Sequence, residues 1–515
     1  MSSTELEVKL EIGTDVVRRL PGKTALRQMS LGQPARKELQ SIYYDTADHR
    51  LHRENASLRL RWDGRRWIQT LKFGTAVAHG LSNPIEIEHV VDEPELDLDR
   101  IDDPELTPWL MKIVSAGPLL PVFETNINRE IHMLSCDDVG TVELAIDNGE
   151  VRNPEKSEAI NEVELELKSG LPHALLTVSE KLFDGDKIAA SGASKAERGY
   201  ALSRQVCNDA PQPHLFKKPD LSADMPADDA FRVIGRSAAD QILDNWNLLP
   251  LSNDPEVPHQ LRIGLRRLRA SLQIFRSFVT SDDLMRLAKE ARDMGRVVGH
   301  LRNADVLLDD IASPAIKALG KDKKHRAMLD YLKQNQALQR RSVREALEGE
   351  RWTHLKLNCM LFDQAVDRAL MNTRSGVVYE EAYALSGREL ERVWRRVQKR
   401  GRGFANHRLE ERHELRKMLK TMRYASDYFL QLYPRPDAKK FFARLRQLQN
   451  VFGYLNDVAM AENLAAAIAL DHPDRKDLQK SVAKICDWHN QRAKKAMRNA
   501  DKRWRKLSGS RKYWR

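Results

Sequence analysis

Glu5, Glu7 and Lys9 stand at i, i+2 and i+4, a spacing that puts all three side chains on one face of an extended strand. Glu162, Glu164 and Glu166 repeat the spacing. Carboxylates this close repel one another unless a cation sits among them, and an all-oxygen environment suits a hard divalent ion such as Mg²⁺ or Mn²⁺. Two solvated strand faces are the alternative reading of either run alone. The cations elsewhere favour the metal-centred reading: Arg59 and Arg61 share a strand face, Lys72 follows on the next strand-like segment, and Arg129 and Lys195 come later. Carboxylates and cations on separate strands around one lumen would grip a metal-bound oligophosphate, arginines through forked donors and lysines as point charges.

A second set of charges follows helical spacing. His259, Arg262, Arg266 and Arg269 fall at i, i+3, i+7 and i+10, one face of a helix, and His413, Arg416, Lys420 and Arg423 repeat the arrangement, with Arg267 and Lys417 flanking. Like charges at these intervals weaken an isolated helix, so an unbroken basic stripe implies a polyanionic partner; a solvated face is the alternative. The stretch from Arg492 to Arg515 is also basic, with Trp504, Tyr513 and Trp514 interleaved.

The elements that must position these groups divide the 515 residues in two. Up to Arg204 the pattern alternates with period two, as in Ser57-Leu58-Arg59-Leu60-Arg61 and Glu162-Val163-Glu164-Leu165-Glu166-Leu167, which predicts strands. Residues 205–230, with Pro211, Pro213, Pro219 and Pro226, read as a linker. From Phe231 the period becomes 3.6 and the chain is expected to be all-helical. An internal repeat lies within it: HQLRIGLRRLR from His259 matches HELRKMLKTMR from His413, and Gly299-His300-Leu301 matches Gly453-Tyr454-Leu455 at the same offset, so two related bundles are predicted at about 231–375 and 379–515.

Charge follows the same division. The net charge of +11 hides about ten excess negative charges before Arg204 and about twenty excess positive ones after it. One half favours cations, the other polyanions. Four scattered cysteines (Cys136, Cys207, Cys359, Cys486) have neither disulfide nor metal-ligand spacing. The first residues lack a secretory pattern and no long apolar run follows, so a cytoplasmic protein is expected.

Five elements in order, Glu5-Leu6-Glu7-Val8-Lys9, Tyr43-Tyr44-Asp45-Thr46, the Leu58–Arg61 strand, Glu162–Glu166 and Ser194-Lys195-Ala196-Glu197-Arg198-Gly199-Tyr200, resemble the CYTH superfamily of triphosphate tunnel metalloenzymes across residues 1–204. That resemblance implies an eight-stranded antiparallel tunnel in which Glu5, Glu7, Glu164 and Glu166 hold divalent metal. Lys9, Arg59, Arg61, Lys72, Arg129 and Lys195 would then hold triphosphate, and Glu86, Glu88 and Asp147 would be further tunnel-facing carboxylates. Pro84 stands where the family usually has an arginine. The helical stripes, with Gly299–Val306 and Gly453–Val458, resemble CHAD domains over 231–515, which implies two four-helix bundles facing a basic groove for inorganic polyphosphate.

The expected whole is a multidomain α+β chain: a metal-dependent inorganic triphosphatase that splits tripolyphosphate to phosphate and pyrophosphate, carrying a polyphosphate-binding module, with association with polyphosphate granules as a further expectation. A non-catalytic polyphosphate-binding protein, a class IV adenylyl cyclase and a thiamine triphosphatase are the alternatives weighed. Nucleic-acid binding has no RNA-module signature or stacking platform behind it.

Overall fold

The computed structural model describes residues 6–74, 81–82, 85–104, 106–191, 193–203, 212–276, 281–320, 322–371, 380–404 and 407–515. Glu5, Pro84 and Cys207 lie outside them. The chain forms two compact units, one of Met1–Ala210 with Gly349–Arg368, the other of Pro211–Glu348 with Ala369–Arg515.

Among the described residues the first unit is built on an antiparallel sheet of ten strands: β1 (Glu7–Ile12), β2 (Ala35–Asp45), β3 (Ala56–Trp62), β4 (Trp67–Phe73), β5 (Leu81–Ser82), β6 (Ile85–Val91), β7 (Leu120–Cys136), β8 (Gly140–Arg152), β9 (Ser157–Gly170) and β10 (Ile188–Ala190). Eight run in the order β1-β9-β8-β7-β2-β3-β4-β6, the number that the CYTH resemblance implies; the two short strands are additional. Short β5, which precedes β6, pairs with Glu7 and Val8 of β1 at the far end of that order, and β10 pairs with Leu10–Ile12 along the same edge, opposite β9.

Alternation works here in the reverse of the usual sense. Leu58, Leu60 and Leu71 are fully buried on the outer face, where Leu58 and Leu71 join Leu51, Ile101, Leu110 and Ile113 in an apolar cluster containing the Leu106–Val114 helix. Because flanking helices cover the outside, the inward positions of the strands are left to charged residues, as in a barrel with a polar lumen. Elsewhere Tyr43, Phe123, Ile127, Val151, Ile160, Ala196 and Tyr200 form a second cluster that seats the Lys195–Ser203 helix. Gly199 permits this seat, since a Cβ there would come 2.2 Å from the Phe123 ring.

Residues 349–368, read from the sequence as part of the helical half, cluster instead with the tunnel unit. The Thr353–Met360 helix packs on the Ala174–Phe183 helix and β10.

The second unit is helical. Its long helices are Ala227–Leu248, Glu256–Ile274, Asp282–Asp305 and Lys323–Leu347, then Ala382–Gly401, Leu409–Phe429, Pro436–Asp471 and Lys476–Ser508. Each of the last four begins 153–155 residues after its counterpart, so the short repeat seen in sequence extends to whole bundles. The Glu256–Ile274 helix buries Leu261, Leu265, Leu268 and Leu272, and the Leu409–Phe429 helix buries Leu415, Leu419 and Met422. These two helices pack on each other across the repeat, which brings the basic stripes together.

Candidate functional site

Strand register explains the tunnel's contents. On β1 and β9, Glu7 faces Glu166, Lys9 faces Glu164 and Glu11 faces Glu162. On β7 and β8, Arg129 faces Asp147, which in turn faces Glu162 on β9. Across the lumen's other strands Tyr43 faces Arg59, Ser41 faces Arg61, and Lys72 faces Glu86. The cavity they form, about 190 Å³, is lined by Glu7, Lys9, Arg59, Arg61, Lys72, Glu86, Glu88, Arg129, Glu164, Glu166 and Lys195, together with Tyr43, Ser57 and Ser194. Eleven of these were named from the sequence. Tyr43, Ser57 and Ser194 appeared there only within motifs and were not assigned to the site; Tyr43 shares an inward face with Ser41, a period-two signal that its aromatic character obscures.

Two walls differ in how well their charge is balanced. Lys9 lies 3.1 Å from Glu7 and 3.4 Å from Glu164. Arg129 donates to both oxygens of Asp147 at 2.7 and 2.6 Å and to Glu164 at 2.5 Å. Lys195 reaches Asp147 at 2.7 Å and Glu164 at 3.0 Å and also contacts Glu162. Burial opposes charge on all of them. For Lys9 the carboxylates Glu164 and Glu7 outweigh it, and for Lys195 Asp147, Glu162 and Glu164 do, so both ammoniums are held above their usual range. Glu164 is correspondingly held well below the carboxylate range by Arg129, Lys195 and Lys9 against its burial.

The opposite wall is under-balanced. Burial and the adjacent Arg59 push the Arg61 guanidinium down to about 10, and Arg61 donates to the neutral Ser41 hydroxyl, at 3.0 Å, rather than to a carboxylate among the described residues. Lys72 is likewise lowered by burial and by Arg59, although it pairs with Glu86. An anion in the lumen would reverse both shifts.

The carboxylates fit a hard cation. Asp147, Glu162 and Glu164 offer oxygens within 4.8 Å of one another. Among the described residues Glu162 Oε2 is buried without a hydrogen-bond partner, and Glu7 Oε1 has the ion pair with Lys9 but no hydrogen bond. Glu162 and Asp147 are 1% and 0% exposed and sit behind the lining, whereas Glu7, Glu164 and Glu166 face the cavity.

In the helical unit the two stripes meet at a groove of about 500 Å³ lined by Arg262, Arg266, Arg269, His413, Arg416, Lys417 and Lys420, with Arg396 and Gln273 besides. Burial, then Arg266, Arg416, Arg262 and Arg423, push the Lys420 ammonium down to about 6. Burial and Arg266 bring Arg262 to about 10. Burial with Arg302 and Arg266 brings His259, which lies beside the groove, to about 4. Arg423 stacks 4.9 Å from the Tyr424 ring. Arg267 does not reach the groove: it pairs with Asp427 at 2.6 Å and lies 3.6 Å over the Phe216 ring. One residue along a helix is a turn of about 100°, which carries Arg267 off the Arg266 stripe.

A second cavity of about 510 Å³ shares Arg262, Arg266 and Arg269 and adds Arg292, Arg296 and His300 at i, i+4 and i+8; sequence reading passed over the two arginines and named His300 only within the repeat. Gly299 lets Arg262 cross that helix, since a Cβ there would lie 2.0 Å from its Nη1. Among the described residues no helix is long and apolar enough to cross a membrane.

The first unit is thus a tunnel of antiparallel strands whose lumen sets metal-capable carboxylates against under-balanced cations, and the second a helical module with a basic groove. The CYTH domain model matches residues 3–200 and the CHAD domain model residues 234–466, so the chain carries a CYTH domain followed by a CHAD domain. It is 31% identical over 213 residues to an inorganic triphosphatase of Haemophilus influenzae, a match covering 40% of this chain and 57% of that protein. An uncharacterised protein of Mycobacterium tuberculosis is 25% identical over 431 residues, 76% of each chain. The CHAD domain of the plant Ricinus communis has the same fold, with a TM-score of 0.50 and 22% identity over 58% of this chain and 99% of that one.

Proposed function

We propose that the chain is a metal-dependent inorganic triphosphatase that splits tripolyphosphate to phosphate and pyrophosphate, and that its helical unit binds inorganic polyphosphate. The observation that carries the first part is the lumen's divided charge, with Arg61 and Lys72 under-compensated opposite Glu7, Glu164 and Glu166. The inorganic triphosphatase relative in Haemophilus influenzae supports it over the tunnel region.

In this reading Glu7, Glu164 and Glu166 hold the divalent ion, joined by Glu5 and Glu162. A bound Mg²⁺ or Mn²⁺ supplies neutralisation of phosphate oxygens and a water of lowered pKa. The chain's own residues do the rest. Arg59, Arg61 and Lys72 bind the phosphoryl oxygens and stabilise charge that spreads over them as the anhydride breaks, while Arg129, Lys9 and Lys195 keep the carboxylates ionised and in place. Glu86, Glu88 and Asp147 set the cations' positions. Water entering in line takes the terminal phosphoryl group, and pyrophosphate leaves with the bridging oxygen.

The test is phosphate release from tripolyphosphate with Mg²⁺, with Mn²⁺ and with chelator, beside ATP, thiamine triphosphate and long polyphosphate. Metal-dependent release with tripolyphosphate preferred is expected; no release from any of them overturns the enzyme assignment. For the helical unit, retention on immobilised polyphosphate is expected, and its absence overturns that part alone.

A further inference from the structure

The tunnel unit holds a segment that arrives late in the chain. Between the helices of the other unit, residues 349–368 leave to join it, and their apolar side chains are deeply buried: Leu355, Leu357, Met360, Leu361 and Phe362 are all 0% exposed. Two places on the tunnel unit take polar contacts from the segment. Glu180, on the Ala174–Phe183 helix, accepts from Asn358 Nδ2 at 2.7 Å and from Arg368 Nη1 at 2.7 Å, with His354 Nε2 at 3.3 Å. Arg368, Asn358 and His354 hold Glu180 below the carboxylate range against its burial. The second place is backbone: Thr353 Oγ1 donates to the carbonyl of Asp186, and Lys356 Nζ donates to the carbonyl of Ile188 at 2.8 Å.

Those two carbonyls lie at the start of the chain stretch that delivers Lys195. Asp186 is itself buried and clamped by Arg19 and Lys23. Ile188 opens β10, whose three residues pair with Leu10, Glu11 and Ile12 of β1, directly beyond Lys9. The next residue, Ser191, donates its N–H to the carbonyl of Lys9 at 3.1 Å, and Ser194 then caps the turn into the helix that begins with Lys195. A three-residue strand at a sheet margin has few ladder bonds of its own, so contacts on its outer side bear directly on its position. Lys356 is a costly way to make such a contact, since burial and nearby Lys187 push its ammonium down to about 8.

We infer that residues 349–368 are a strap that fixes β10, and that Thr353 and Lys356 are positioning residues for the tunnel cations Lys9 and Lys195 through the carbonyls of Asp186 and Ile188. The inference rests on the proposed triphosphatase reading only for its catalytic consequence. A lysine displaced by about 1 Å in such a site costs up to about a hundredfold in rate, so loss of one strap bond should cost about tenfold.

The test uses the full chain with Thr353→Val, Lys356→Met and, as conservative partners, Thr353→Ser and Lys356→Arg. Tripolyphosphate turnover is measured with amide hydrogen exchange across 186–203 and, as an internal reference, across β7. The expected result is a kcat about tenfold lower in the Val and Met variants, with KM changed less. Exchange should be faster at 186–203 but unaltered in β7, and both effects should be largely restored in the conservative variants. Unchanged exchange at 186–203 in the Val and Met variants overturns the strap, as does faster exchange spread evenly over both segments, which would mark a general loss of stability. If the parent shows no turnover, the triphosphatase reading falls while the exchange data still decide the strap.

Discussion

Glu7 is where metal affinity and little else should register. Its Oε1 is buried without a hydrogen bond and no apolar packing depends on its carboxylate, so Glu7→Ala should remove metal-dependent turnover, a drop of about a hundredfold or more, with thermal unfolding little changed. Turnover of each variant against Mg²⁺ concentration, beside its melting curve, checks this. Lys72 should behave differently. It would contact phosphate in both ground and transition states, so Lys72→Ala is expected to raise KM and lower kcat together, about 10- to 100-fold in kcat/KM. Steady-state kinetics on tripolyphosphate read the split. At this scale the sequence was legible where alternation sets the face, as for Glu7, Lys9, Arg59 and Arg61. It was not legible where register sets the partner: nothing in the run around Asp147 says that it lies opposite both Arg129 and Glu162.

Two helices carry the basic groove, and the repeat that relates them was readable because both keep the same spacing of cations and leucines. What spacing does not reveal is crowding. Lys420 is enclosed by Arg266 and Arg262 on one helix and Arg416 and Arg423 on its own, and only packing brings them together. Its folded-state pKa of about 6 sets a sign for the pH dependence of binding. Below about pH 6 the free protein already carries this charge; above it, a polyanion must draw in a proton, so affinity should fall as pH rises from about 6 to about 8. Calorimetric titration with polyphosphate in buffers of different ionisation enthalpy should show proton uptake, and Lys420→Met should flatten most of the slope, His413 accounting for the remainder. Arg266→Glu with Lys420→Glu adds repulsion at matched places on both helices. That pair should nearly abolish retention of long polyphosphate, yet leave tripolyphosphate hydrolysis within about threefold of the parent.

For the molecule as a whole, the opposed charges of its two halves make salt a diagnostic. Polyphosphate retention should weaken steeply as salt rises, because counterions released on binding are recaptured, and the double reversal should have a shallower slope; retention at several salt concentrations for parent and variant measures both. The change of period near residue 231 made two architectures legible, strands and then helices. It could not reveal that residues 349–368 belong with the strands, because their helical pattern is the same whichever core buries them. That return sets a timetable for the nascent chain. The last piece of the tunnel unit is synthesised about 140 residues after Ala210, which at about 5–20 residues per second is a delay of about 7–30 s on the ribosome. During that interval the Ala174–Phe183 helix and β10 stand uncovered, so a nascent chain stalled before residue 349 should expose an apolar patch there to chaperones that one stalled well past residue 368 no longer offers.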